Sequence, residues 1–397
     1  MATSLKQWTR RTSKGPVRWQ SNDPTDAVAT TPGTVEAVTY LRSYSNWQLR
    51  ALVRLARLPE SLPITSGITM YRVVYWTQHL GKAERVSGLF AIPTRANPKA
   101  TVMWLHGTSV QRSFAPSTPT REEGVLISAT YAGNGFLTIA PDYVGLGQSK
   151  SYHPYLYTPT TVNAARDLLT AAQSVANGMS IPWMSKFCIA GFSQGASAAA
   201  VLQRSIESDP PPNVELLATA AMAPPLNLAE ITVPTALISS ATTSSLYLAY
   251  IVHSFSKIYN HEPNSVLTDH YASLLSELYS GNKDSASVIA ALPKDPKSMI
   301  RPEFLTGFNE SQDSWFRDAL VENEAYNWVP KNELRLFVGD NDKDVPAADA
   351  RAAYASMKAN KGNVSLVEVG PHDHDGVVLR SVPRSLNWFN QILERST

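Results

Sequence analysis

The chain of 397 residues is long enough to bury a substantial core, and 43% hydrophobic against 17% charged residues is ordinary globular composition, which excludes a disordered chain. Its 35 basic and 33 acidic residues leave a net charge of +2 with no run of five like charges, so tethering to nucleic acid or anionic lipid is not expected. A single cysteine, Cys188, excludes an internal disulfide framework and a cysteine-based metal site.

Residues 1–68 read as an N-terminal arm and helical segment. Pro16, Pro24, Pro32 and Gly33 stand among mainly polar residues, the pattern of an extended arm. Trp8 and Trp19 lie beside Lys6, Arg10, Arg11, Lys14 and Arg18, and are read as part of a solvated terminus, not a base-stacking surface. Residues 1–11 have no apolar centre, so no signal peptide is expected, and no uncharged run reaches membrane-spanning length. The expected location is cytoplasmic or otherwise soluble, with secretion after signal-peptide removal left open. Between 34 and 58, Leu49, Leu52, Val53, Leu55 and Ala56 recur at helical spacing and predict helix.

Residues 69–223 carry the first part of a sheet. The period-two runs 70–76 and 86–92 predict a strand pair turning at Gly81. The run 101–105 is continuously apolar, as suits a strand covered on both faces, and it ends at His106-Gly107. There follow a predicted helix at 122–132, a strand at 136–140, a helix at 162–176, a strand at 187–190 holding Cys188 as a buried thiol, a helix after Ser193, and an apolar run at 216–223. This alternation predicts an α/β architecture, a mostly parallel sheet flanked by helices.

From 224 to 330 the strand rhythm stops. The segment is rich in Ser, Thr and Tyr, with apolar stripes at Leu246 and Tyr250 and at Leu274, Leu275 and Leu278. It is too long for a loop and is read as an inserted helical cap, with 233–252 a buried or cap helix. In 331–397 the core resumes, with strands at 334–338 and 364–369 and helices at 347–359 and 377–393.

The chemistry sits at predicted strand ends. Gly191-Phe192-Ser193-Gln194-Gly195 follows a strand and opens a helix, as a nucleophile elbow requires. A serine hydroxyl needs a base to take its proton and an acid to orient that base, expected in the chain order Ser, Asp, His. Asp340, Asp342 and Asp344 all follow the strand 334–338; Asp342 is preferred, because the third residue after Gly339 can turn back toward the elbow. His372 and His374 compete as the base, and His374, nearer the last helix, ranks first. Oxyanion donors are expected from the Gln194 amide and from Gly107 or Thr108. His106 and Asp142 read as loop organisers. His79, His153, His253, His261 and His270 lack metal-ligand spacing, and the turn at Gly145 and Gly147 lacks the phosphate-binding pattern, so neither a metal nor a cofactor is expected.

Taken together, these motifs resemble those of the fungal and bacterial secretory lipases of the α/β-hydrolase superfamily. The match runs in order through His106-Gly107-Thr108, Ala115-Pro116-Ser117, Pro141-Asp142-Tyr143, Gly145-Leu146-Gly147 and His153-Pro154-Tyr155. It continues through the elbow, Pro224-Pro225, the acid loop 339–346, and His374 with Pro383 and Trp388-Phe389. The resemblance implies an α/β-hydrolase fold with an inserted cap that shapes the acyl pocket, and an ester-cleaving serine enzyme using Ser193, Asp342 and His374. The expected partner is a small-molecule ester cleaved through a covalent acyl-enzyme. Two rival readings are an acyltransferase or peptidase with the same triad, and a non-catalytic binding protein on a hydrolase fold. The sequence is silent on oligomeric state.

Overall fold

The run Thr-Val-Met-Trp-Leu at 101–105 is buried at every residue, Val102 and Trp104 packing into one apolar cluster and Met103 and Leu105 into another. That two-sided burial identifies the centre of a sheet covered on both faces. In the computed structural model, which describes residues 18–19, 30–55, 62–118, 122–309 and 314–395, this strand lies inside a single ten-stranded sheet. The strands are β1 (Arg18–Trp19), β2 (Val35–Tyr44), β3 (Ile68–His79), β4 (Lys82–Pro93), β5 (Thr101–Leu105), β6 (Leu137–Pro141), β7 (Lys186–Phe192), β8 (Glu215–Met222), β9 (Glu333–Val338) and β10 (Val364–Glu368). They lie in the order β1-β2-β3-β4-β6-β5-β7-β8-β9-β10. Pairing is parallel from β6 through β10 and antiparallel from β1 to β6.

Between β3 and β4 the chain reverses in two residues, Leu80 (φ 49°) and Gly81 (φ 73°). Two positive φ values match the twist of the flanking strands, so the hairpin keeps one register from His79↔Lys82 to Ile68↔Pro93 even with an exposed leucine in the turn.

Helices α1 (Asn46–Leu55) and α2 (Glu122–Tyr131) cover one face together with the C-terminal helix (His374–Arg395). The opposite face is covered by α3 (Thr158–Gly178) and α4 (Gln194–Ser208), and by the helix at Ala347–Ala359. Between β8 and β9 the described residues form a π-helical turn at Leu228–Thr232 and six α-helices, α5 (Val233–Ile238), α6 (Ser244–Tyr259), α7 (Asp269–Leu278), α8 (Ser285–Ala291), α9 (Pro302–Asn309) and α10 (Trp315–Glu322). They build an apolar cluster of their own around Phe255, Leu275 and Phe316, into which Val110, Tyr155 and Leu156 of the sheet domain insert. The Ala347–Ala359 and His374–Arg395 helices are α11 and α12.

One sequence expectation is corrected. The predicted helix over 34–58 begins only at Asn46, and the residues before it form β2, antiparallel to β3. Every apolar residue that suggested the helix lies beyond 45, whereas 35–44 is a β-branched and aromatic stretch that gains its hydrogen bonds from a strand more than twenty residues away. Most of the expected extended arm of 1–33 lies outside the described residues.

The helical insertion is tied to the sheet domain by Asp349, in the first turn of α11. Its Oδ1 accepts the N–H groups of Leu226 (3.1 Å) and Asn227 (2.9 Å), and its Oδ2 accepts the Thr232 hydroxyl (2.5 Å). Burial pushes this carboxyl up to about 7, against the downward pull of those three donors. Asp349→Ala strips the donors of their acceptor, and a loss of about 2–4 kcal/mol in denaturant unfolding is expected, with Asp349→Asn losing much less. A folded pKa above the unfolded one means that stability from this carboxyl is full below roughly pH 4 and is lost as pH rises through about 7. The stability of the parent protein relative to Asp349→Asn should therefore fall across that window.

Candidate active site

The turn from β7 into α4 places Ser193 at φ 54°, ψ −121°, a conformation that side-chain-bearing residues rarely adopt. It is held there by the Ser193 N–H donating to Met222 O on β8 (2.9 Å) and by Ala196 N–H donating to Ser193 O (2.8 Å). So sharp a turn needs bare neighbours. A Cβ on Gly191 would stand 2.1 Å from Gly195 O, and one on Gly195 would stand 1.9 Å from Leu105 O at the end of β5. The two outer glycines of the motif are therefore demanded by backbone-to-backbone approach.

Two loops meet the serine. The Ser193 hydroxyl donates to His374 Nε2 at 2.9 Å, and His374 Nδ1–H donates to Asp342 Oδ2 at 2.7 Å. All three residues are buried. The other Asp342 oxygen accepts the amides of Asp344 (3.0 Å) and Val345 (2.9 Å), which fixes the carboxylate. The two loops are also bonded to each other, Asp340 N–H donating to Gly370 O (3.1 Å) and Asn341 N–H to His372 O (3.2 Å). The Phe192 ring packs beside the imidazole with centroids 4.6 Å apart.

The competing residues are occupied elsewhere. Asp340 pairs with Arg351 at 2.6 Å, and Asp344 accepts from the Thr243 hydroxyl. Ligand atoms of Asp342, Asp344 and His374 lie within 4.8 Å of one another, but both Asp342 oxygens are already taken by protein donors. His372 contributes its backbone carbonyl to the loop-to-loop bonding.

On the other side of the serine stand the residues read as oxyanion donors. Gln194 opens α4, and the first amides bonded to Ser193 O are those of Ala196 and Ser197, so the Gln194 amide precedes the helix's own hydrogen-bond ladder at its positive end. Gly107 packs against Phe192, where a Cβ would lie 3.1 Å from the ring. Thr108 shares a 2.9 Å hydrogen bond with the Tyr155 hydroxyl.

Asp142 is fully buried and accepts from the Ser117 amide (2.9 Å) and from the hydroxyls of Ser87 and Ser117 (2.5 Å each), binding its own loop and the Ser117 loop to β4. His106 bonds to Gly107 O (2.8 Å) and stacks on Tyr143 at 4.2 Å. Sequence reading gave His153 no task beyond its motif and ruled it out as a metal ligand on spacing, yet its Nε2 lies 2.8 Å from Gln194 Nε2. The available signal was a histidine in a Pro-Tyr loop following a glycine-bearing turn, which does not by itself say what the ring touches.

The geometry stands beside clear likenesses to known proteins. The family described as secretory lipase matches residues 111–397. A structure from Legionella pneumophila, provisionally described as a hydrolase, is 25% identical with a TM-score of 0.84, covering 90% of this chain and 98% of that one. The ligand-bound rice cell wall degrading esterase LipA from Xanthomonas oryzae is 27% identical with a TM-score of 0.79, covering 91% and 97%. Lipase A of Candida antarctica in its closed state shares the fold at a TM-score of 0.69 and 14% identity, over 95% of this chain and 86% of that one. No curated protein matches the chain.

Because a methyl group on Gly195 would strike the Leu105 carbonyl, Gly195→Ala must push the elbow away from β5. A loss of at least about 2 kcal/mol in urea-induced unfolding is expected.

Proposed function

Since the chain belongs to the secretory lipase family and is a lipase/esterase-like hydrolase, we propose that it cleaves small-molecule carboxylic esters through a covalent acyl-enzyme on Ser193. The observation that carries this reading is the continuous relay Ser193 Oγ–His374 Nε2–Asp342 Oδ2, with steps of 2.9 and 2.7 Å.

In the forward half-reaction His374 Nε2 takes the hydroxyl proton as Ser193 Oγ attacks the ester carbonyl. Asp342 holds the imidazole with Nδ1 protonated and stabilises the cation that forms. The negative carbonyl oxygen is received by the Gln194 amide and by the Gly107-Thr108 turn, where a preorganised donor is worth more than in water. His374 then gives its proton to the departing alcohol. Water repeats the sequence on the acyl-serine, releasing the acid and restoring the hydroxyl. Among the described residues no helix is long and apolar enough to cross a membrane.

Aryl esters of short and long acyl chains test the proposal directly. Ser193→Ala should lower kcat at least about 10⁴-fold, and equal turnover by the variant would refute the assignment.

The pH dependence follows from the same contacts. Burial disfavours the His374 cation, but the hydrogen bond and charge of Asp342, with the charges of Asp344 and Asp375, outweigh it and raise the imidazole above 6.5. The base works when neutral, so activity is present above that pKa and is lost as pH falls through it. The acid limb of kcat/KM should therefore lie above pH 6.5. Asp342→Asn should move it downward while cutting kcat about 10³- to 10⁴-fold, as a pH-rate series would show.

A further inference from the structure

His153 is buried, and both ring nitrogens are committed: Nδ1 lies 2.7 Å from Val144 O and Nε2 lies 2.8 Å from Gln194 Nε2. A carbonyl can only accept, so Nδ1 carries the proton. Burial, with His106 and His79 as further unfavourable neighbours, drives the imidazole pKa down to about 4 against the support of Val144 and Gln194, so the ring is neutral and Nε2 is a lone-pair acceptor. Gln194 must then present its N–H to the ring, which settles the orientation of its amide. Its Oε1 has no hydrogen-bond partner among the described residues, so the bond to His153 is what holds this side chain's polar end.

The ring is itself clamped. It stacks on Tyr143 at 5.9 Å and is flanked by Tyr155 at 6.1 Å and Tyr250 at 5.8 Å. Tyr143 in turn stacks on His106 and donates its hydroxyl to His106 O at 3.2 Å. One row of rings thus reaches from the Gly107-Thr108 turn to the side chain of Gln194. These are the two arms assigned to the oxyanion.

We propose that His153 is a positioning residue for ester hydrolysis, acting through Gln194 to keep the elbow amide aimed at the oxyanion. The inference rests on Ser193 being the nucleophile, and it adds a role for a histidine that never exchanges a proton in the cycle. Because an oxyanion donor matters in the transition state, its misalignment lowers kcat and leaves KM nearly unchanged.

The test compares the parent protein with His153→Phe, His153→Gln, Gln194→Leu and the double variant His153→Phe/Gln194→Leu on a p-nitrophenyl ester, with fluorophosphonate labelling of Ser193 alongside. His153→Phe should lose about 10- to 100-fold in kcat with KM within about 3-fold, and label more slowly to the same endpoint. His153→Gln, which can still accept from Gln194, should recover part of the loss. The double variant should be no worse than the poorer single one, and the acid limb set by His374 should stay in place. Undiminished kcat in His153→Phe, additive losses in the double variant, or a displaced acid limb would each overturn the proposal. Should His153→Phe show no cooperative melt, Gln194→Leu decides alone, and parent-like kcat there overturns it. A parent protein that neither labels nor turns over esters would instead remove the ester-hydrolase reading beneath it.

Discussion

Gly195 lies so close to the carbonyl of Leu105 that no side chain fits between them, and Gly191 lies equally close to Gly195. This contact of bare backbones lets β7 turn into α4 within one residue and obliges Ser193 to take positive φ. Strain of this kind costs on the order of 1–3 kcal/mol and persists only where the surroundings leave no alternative. Here they leave none, because β7 lies between β5 and β8 and each neighbour contributes to the turn: β5 by the close approach at Leu105, β8 by the bond to Met222. The central parallel strands thereby serve as the mould in which the serine is set.

Around that fixed point the other groups arrive on loops at the strands' C-terminal ends, each braced by its neighbour. The acid loop after β9 and the histidine loop after β10 exchange backbone hydrogen bonds, so the Asp342–His374 geometry is a property of the pair. The helical insertion leans on the same place. Thr243 bonds to Asp344, and the Ser239 hydroxyl donates to Lys343 O at 2.9 Å. On the opposite side Tyr155, Tyr250 and Tyr279 stack at 4.5 and 4.3 Å, nearly parallel, and tie α6 of the insertion to the loop bearing Thr108. The insertion is thus in contact with both the loop bearing Asp342 and the loop bearing Thr108.

What was legible in the sequence was what local chemistry dictates. The mostly parallel sheet could be read because β5 and β7 are apolar on both faces, and the family likeness because short motifs recur in order at strand ends. The elbow could be read because its glycine spacing lies within five adjacent residues between a strand and a helix, although the close approach to Leu105 that demands Gly195 could not. Other features depended on partners distant in the chain. The β-branched and aromatic residues of 35–44 favour a strand, but the partner that fixes β2, the distant β3, is not marked within them. The choice among the three aspartates turns on Arg351 and Thr243, which occupy Asp340 and Asp344. The contact of His153 with Gln194 depends on a loop fold that brings Gly145 against the His153 backbone, where even a Cβ would stand 2.3 Å from its nitrogen.

The relay joins residues 181 positions apart, and the whole helical insertion lies between the serine and its partners in the chain. The elbow's contacts with Leu105 and Met222 are made by residues up to 222, whereas Asp342 and His374 follow the insertion. The relay is therefore completed only by segments that follow the insertion.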